Sequence, residues 1–272
     1  VWLDCGMPLL DINGTSLFYE DTKGSGPPIL FSHGLLWSGE MFSAQIKALR
    51  TSHRCICYDH RGQGQSPPSP TPFDMETLFD DAVALIEKLE LGPVHFVGLS
   101  MGGFVGMRLA ARRPEYIKSL VLIETAADPE PRLNIPKYKA LALLASLLGY
   151  RMLVPPIMKI MFGTAFRQDP QRAELRRKME DHLASLRPAE TQAALRSVIR
   201  RRSIEQELAS IQTPTLVLHG SEDTAIRLPR AQKMAEAIPG ARLVLIPRAG
   251  HTSTVEEPEA VTAALAAFYQ HL

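Results

Sequence analysis

Short runs rich in β-branched and other apolar residues alternate along this chain with stretches whose apolar side chains recur at helical spacing. A helix that links two strands running the same way leaves them parallel, so this alternation predicts crossover units around a mainly parallel sheet. The class read from the pattern is α/β. Strands are expected at 8–12, 17–21, 28–32, 54–59, 94–98, 117–123, 215–219 and 242–246, and helices at 39–49, 74–91, 101–112, 230–237 and 258–270. Asn13-Gly14 separates the first two strands as a hairpin-type turn, so the sheet should begin antiparallel.

The alternation breaks between residues 126 and 207, where no convincing strand appears and Leu, Met, Ala and Arg fill helix-favouring runs. That segment is expected to be a helical cap inserted into a core formed by 1–125 and 208–272. A length of 272 residues suits one large domain with such an insertion. The cap holds about 15 Lys and Arg against about 9 Asp and Glu, an excess expected to lie on a solvated face. Its densest cluster is Arg200-Arg201-Arg202, three adjacent positions that splay too widely to face one ligand together.

Gly98-Leu99-Ser100-Met101-Gly102 follows the apolar run Val94-His95-Phe96-Val97 and precedes a helical pattern. Glycines two positions either side of a serine, between a strand and a helix, permit the strained turn that lifts a hydroxyl clear of a sheet. A serine hydroxyl is a weak nucleophile at neutral pH and needs a base, which in turn needs an acid to fix its tautomer. Asp223 stands just beyond the strand Leu216-Val217-Leu218, and His251 just beyond Leu243-Val244-Leu245-Ile246. All three candidates thus follow strands and can converge on one edge of the sheet.

Among the eight histidines, His95 sits inside a strand, His182 and His271 fall in polar helical contexts, and His219 and His60 stand at strand ends as possible supporting groups. Glu124, at the end of the 117–123 strand, is the rival acid; Asp223 ranks ahead because its loop leads directly into the crossover that carries His251. Acyl transfer also needs amides to hold an oxyanion, and the residue after the nucleophile and the loop after strand 28–32 point to Met101 and Leu35. Leu36 and Trp37 then become candidate substrate contacts, and His33 a support for the loop.

The segments His33-Gly34, Asp59-His60-Arg61-Gly62-Gln63-Gly64-Gln65-Ser66, Gly98 to Gly103, Gly220 to Asp223 and Gly250-His251 together resemble the α/β-hydrolase superfamily across nearly the whole chain. The elbow and the Asp-His-Arg loop are similar to the branch holding 3-oxoadipate enol-lactonases, small carboxylesterases and cofactor-free haloperoxidases. The resemblance implies a mostly parallel eight-stranded sheet flanked by helices, with an inserted cap. It also implies Ser100, His251 and Asp223 as catalytic groups and the Leu35 and Met101 amides as the oxyanion hole. Leu35-Leu36-Trp37 departs from the small residue usual after His-Gly. The activity implied is cleavage of a carboxylic ester or lactone of a small molecule through an acyl-enzyme. A carbon–carbon bond hydrolase or a perhydrolase would use the same residues. A ligand receptor with negligible turnover could keep them too. A haloalkane dehalogenase is disfavoured, since its nucleophile is a carboxylate.

Other classes are excluded on composition. A net charge of +1 argues against a nucleic-acid partner. Cys55 and Cys57 alternate within an apolar strand and read as buried thiols. No cluster at ligand spacing implies a metal, and Gly62-Gln63-Gly64 lacks the strand-to-helix setting of a dinucleotide site, so no cofactor is expected. Val1-Trp2-Leu3-Asp4-Cys5 lacks the pattern of a secretory leader, which makes cytoplasmic the default expectation. The most apolar stretch, 140–163, is broken by Arg151, Pro155-Pro156 and Lys159 and should not span a membrane. Its residues Leu143, Leu144, Leu147, Leu148, Met152, Met158, Met161 and Phe162 are expected in the core or roofing an apolar pocket. Neutral, moderately apolar acyl groups should then be preferred, unless an arginine points inward to meet a carboxylate.

Overall fold

The computed structural model describes residues 8–272, so the reading of Val1 to Cys5 lies outside the described residues. Eight strands form one sheet: β1 (Leu9–Ile12), β2 (Thr15–Asp21), β3 (Pro28–Ser32), β4 (Arg54–Tyr58), β5 (Val94–Leu99), β6 (Ile117–Ile123), β7 (Thr215–Gly220) and β8 (Arg242–Ile246). Their order is β1-β2-β4-β3-β5-β6-β7-β8. The β1–β2 hairpin turns through Asn13 and Gly14, both at positive φ, and β2 runs antiparallel to β4. Every other pairing is parallel. The expected strands are all present, with ends that differ by two residues at most.

Alternation along the strands builds two hydrophobic layers. Leu30, Ile56, Tyr58, Phe96 and Leu120 face α2 (Met75–Lys88) and α3 (Met101–Arg112). Ile29, Phe31, Cys55, Cys57 and Val97 face the opposite layer, with α1 (Ser43–Leu49) and the C-terminal helix Pro258–Tyr269. The run read as one helix over 39–49 begins as a 3-10 turn, Gly39–Phe42. Its opening is set by Ser38, whose hydroxyl accepts from the Glu40 amide. Cys55 and Cys57 are buried free thiols.

Between β6 and β7 lie only helices: α4 (Ile135–Leu148), α5 (Val154–Met161), α6 (Thr164–Gln168), α7 (Ala173–Ser185) and α8 (Pro188–Ile199). The expectation that the apolar residues of this stretch are core or pocket roof holds for Met158, Met161 and Phe162, which are buried or packed against buried residues. It fails for Leu143, Leu144, Leu147, Leu148 and Met152, which are 41–70% exposed. From Ala140 to Leu148 helix α4 carries only Ser146 as a polar residue, so periodicity offers no inner face there; the one buried position is small Ala145. After β7 come α9 (Leu228–Ala237), α10 (Ser253–Glu256) and α11 (Pro258–Tyr269); α10 is a short turn that the sequence pattern does not announce.

The loop after β4 is held by a buried ion pair. Arg61 donates through Nε and Nη2 to both oxygens of Asp81 on α2, with side chains only 2% and 1% exposed. Asn13 adds a third donor to Asp81. Removing one partner strands the other charge in a medium that cannot solvate it. Asp81→Ala should therefore lower the unfolding free energy by about 3–5 kcal/mol, read from urea denaturation. A loss below about 1 kcal/mol would mean that Arg61 finds water.

A second titratable group makes stability depend on pH. Burial, and then the charge of Asp59, push the Glu20 carboxyl up to about 7, although the Cys57 thiol donates to it. A carboxyl raised in the folded state stabilises most below its ordinary value of 4.5, and the contribution is lost as pH rises through about 7. Glu20→Gln should therefore gain in Tm relative to the parent between about pH 5 and about pH 8. Parallel pH profiles for the two proteins would contradict this.

Candidate active site

Ser100 stands between β5 and α3 at φ 50°, ψ −105°. Such a backbone costs of order 1–3 kcal/mol and persists only where its surroundings impose it. Here the Ser100 amide donates to the Ile123 carbonyl (2.8 Å), and the Thr125 hydroxyl donates to the Ser100 carbonyl (2.9 Å). A Cβ at Gly98 would collide with the Gly102 backbone, and one at Gly102 with the Ser32 carbonyl. Those two glycines let strand and helix close around the turn.

His251 follows β8, and its loop is gathered by a residue that the sequence reading missed. Buried Glu256, on α10, accepts from the amides of Gly250 (3.0 Å), Thr252 (3.1 Å) and Gly163 (2.7 Å) and from the Thr252 hydroxyl (3.0 Å). The His251 amide donates to the Met161 carbonyl (3.0 Å), tying the loop to α5. The only sequence signal was a glutamate one short turn beyond the histidine.

His251 Nε2 lies 2.9 Å from Ser100 Oγ, and Nδ1 lies 2.8 Å from Asp223 Oδ2. The other oxygen of Asp223 accepts from the Ala225 (2.8 Å) and Ile226 (3.0 Å) amides, which fixes the carboxylate in place. A carboxylate facing Nδ1 keeps the proton there and leaves Nε2 as an acceptor toward the serine. Glu124 is elsewhere engaged. Its Oε1 accepts from the Gly220 amide (3.0 Å), and burial, then the charge of Asp223, push its carboxyl well above the usual range. Of the other histidines, His95 pairs with Ser119, and His182 meets the Leu36 carbonyl. His33 accepts at Nε2 from the His60 amide and donates from Nδ1 to the Gly34 carbonyl, a supporting role in the loop.

Leu35 lines the same cavity as Ser100, and Met101 follows Ser100 directly. Met101 begins α3, where first-turn amides have no intrahelical partner, and neither its amide nor that of Leu35 is engaged by another group among the described residues. The Leu35 turn is pinned by the Trp37 amide on the Gly34 carbonyl and by the Leu36 amide on Gln63 Oε1 (2.8 Å). Leu36 itself sits at φ 71°. Gln63, from the Asp59 to Ser66 segment, thus holds this turn, a contact that the motif contains but that the sequence does not single out.

A cavity of about 110 Å³ opens over Ser100 and His251. Leu35, Leu36 and Trp37 line one side, and Leu153, Ile157 and Met161 another. Trp37 stacks on His182 (5.0 Å between rings) and meets Phe162 edge-on. The expectation of a wholly solvated basic cap is overturned at one position. Arg201 is 5% exposed and lines the cavity with Glu130 and Tyr138. Arg200 and Arg202 stay exposed, whereas Arg201, just past the C-terminal end of α8, is turned inward and donates through Nη1 to Glu130 and to the Val198 carbonyl. Burial pulls the Arg201 guanidinium down from its ordinary range, and Glu130 offsets this. Among the described residues no group of three His, Cys, Asp or Glu could hold a metal ion, and no helix is long and apolar enough to cross a membrane.

Comparison with known proteins gives consistent relatives. The family model of the alpha/beta hydrolase fold matches residues 27–258. A Pseudomonas savastanoi pv. phaseolicola protein, provisionally named carbamate hydrolase RutD, is 30% identical over 242 residues, covering 85% of this chain and 89% of its own. The enol-lactonase from Burkholderia xenovorans LB400 superposes with a TM-score of 0.88 at 28% identity, over 97% of this chain and 100% of that one. A thermophilic esterase from Thermogutta terrifontis gives 0.88 at 29%, over 97% and 98%.

Proposed function

The chain belongs to the alpha/beta hydrolase fold family, and from that premise we propose that it is a serine hydrolase opening a carboxylic ester or lactone through an acyl-enzyme. The observation that carries this reading is the hydrogen-bonded line from Ser100 Oγ through His251 to Asp223 Oδ2 at the mouth of the cavity. In the first step Ser100 Oγ attacks the acyl carbon while its proton passes to His251 Nε2. The Nδ1 proton stays on the ring, and Asp223 stabilises the resulting imidazolium. The carbonyl oxygen becomes an oxyanion and takes hydrogen bonds from the Leu35 and Met101 amides. Collapse expels the alcohol, which receives the proton from His251. Water then repeats the sequence on the acyl-enzyme and returns Ser100 to its starting state.

In this reading residues 126–207 form a cap on a core made of 1–125 and 208–272, and the cap supplies most of the cavity wall. Support comes from the ties between α5 and the histidine loop, which let the cap shape the pocket without providing the reacting groups. The volume, of the same order as a cavity that admits one benzene, suits a short acyl group.

Steady-state hydrolysis of p-nitrophenyl acetate, a γ-lactone and an aryl carbamate tests the proposal. Ester or lactone turnover should exceed carbamate turnover, because nitrogen donation deactivates the carbamate carbonyl. A higher kcat/KM for the carbamate would move the substrate assignment, and binding without any turnover would make the protein a receptor.

A further inference from the structure

Arg201 is buried, lines the catalytic cavity, and uses only part of its donor set. Its Nη1 donates to Glu130 Oε2 (3.0 Å) and to the Val198 carbonyl (2.9 Å). Nε and Nη2 are buried without any partner. The guanidinium lies over the ring of Phe104, 4.2 Å from its centroid, so the π face is occupied while the Nε/Nη2 edge has no partner. A buried donor without an acceptor is costly, and two adjacent ones on a cation call for an acceptor.

That edge has a known use in this chain. Arg54 presents Nε and Nη2 to Asp21, Arg61 to Asp81 and Arg112 to Glu207. In each case the two parallel N–H groups match the two oxygens of a carboxylate. Glu130 cannot fill the same role for Arg201, because its Oε2 is on Nη1 and its Oε1 accepts from Asn134 Nδ2 (2.8 Å). Tyr138, also on the cavity wall, keeps its hydroxyl protonated: burial and the charge of Glu130 push it up to about 12, so it adds a donor and no charge.

We propose that the Nε/Nη2 edge of Arg201 binds a free carboxylate on the acyl part of the substrate, making the preferred substrate a half-ester of a short dicarboxylic acid or a lactone bearing a carboxylate. This inference rests on the serine-hydrolase reading of the site and specifies its substrate class. It reverses the preference for neutral acyl groups expected from the apolar cap, because the cation meets the carboxylate where hydration is lost.

The test compares p-nitrophenyl half-esters of succinate, glutarate and adipate with esters whose terminal carboxylate is replaced by the isosteric amide. At the best chain length, kcat/KM for the acid should exceed that for the amide by roughly ten- to a hundredfold, the range for hydrogen bonds to a charged partner. Arg201→Met should bring the ratio below one, and Arg201→Lys should leave it intermediate, because it keeps the charge without the fork. The acid-to-amide ratio is internal to each protein, so partial misfolding does not mimic the effect. Glu130→Gln/Arg201→Met covers the case in which the single variant fails to fold around an unpaired Glu130. Glu130→Gln alone should raise the ratio by freeing the cation from its competing anion. Equal kcat/KM for acid and amide at every chain length would overturn the proposal while leaving the serine-hydrolase reading intact. Absence of turnover on all esters would instead remove that reading. Calorimetric binding of glutarate against glutaramate to the Ser100→Ala chain would then decide the Arg201 assignment, with equal affinities refuting it.

Discussion

Replacing Ser100 with alanine should lower turnover by roughly six orders of magnitude, the scale seen when a triad nucleophile is deleted. The expectation is this large because no other group in the cavity can take its place. The hydroxyls on the wall are Tyr138 and Tyr150, and Tyr150 is committed to Thr191 (2.6 Å). His251 would retain its link to Asp223 but would have only water to activate. What survives would come from the oxyanion amides and from substrate positioning. The fold should not suffer, since alanine tolerates φ 50° about as poorly as serine and the bonds that impose the turn are all backbone or Thr125. An unchanged Tm beside lost turnover separates a chemical effect from a structural one. Residual activity within a hundredfold of the parent would mean that another group attacks the substrate.

Asp223→Asn should cost about ten-thousandfold in kcat, because the amide turns the wrong face to His251 and favours the tautomer that cannot accept from Ser100. Asp223 Oδ1 is fixed by two backbone amides, so in the variant the retained carbonyl oxygen takes that position and the NH2 group faces His251 Nδ1. Glu124→Gln should cost far less. Burial and then the charge of Asp223 push the Glu124 carboxyl well above its usual range, and glutamine reproduces the shape and the acceptor that the Gly220 amide uses. Comparing kcat for the two variants decides between them, and the reverse ranking would make Glu124 the acid partner.

Much of this was legible in the sequence because the features are local. The period-two strands, the glycine-flanked serine and the histidine after the last strand each depend on a few neighbouring residues. What was not legible depends on distant packing. The inner face of α4 falls on Ala145, and the nearly all-apolar run 140–148 carries no phase to reveal it. Arg201 could not be singled out from its two neighbours by spacing, since all three lie at or beyond the end of α8, where helical periodicity no longer sets which side chain faces inward. Glu256 and Gln63 act on backbone amides of other loops, Gly163 and Leu36, a relation that spacing along the chain does not encode. The sequence therefore pointed to the candidate reacting groups more readily than to the residues that position them or shape the pocket.

The most direct measurement of the central claim is covalent labelling of the native chain with a fluorophosphonate, followed by peptide mass spectrometry. The account predicts one phosphonyl group per chain, on the peptide containing Ser100, with labelling abolished in Ser100→Ala and strongly slowed in Asp223→Asn. Stoichiometric modification of any other residue, or none under conditions where ester turnover continues, would contradict it.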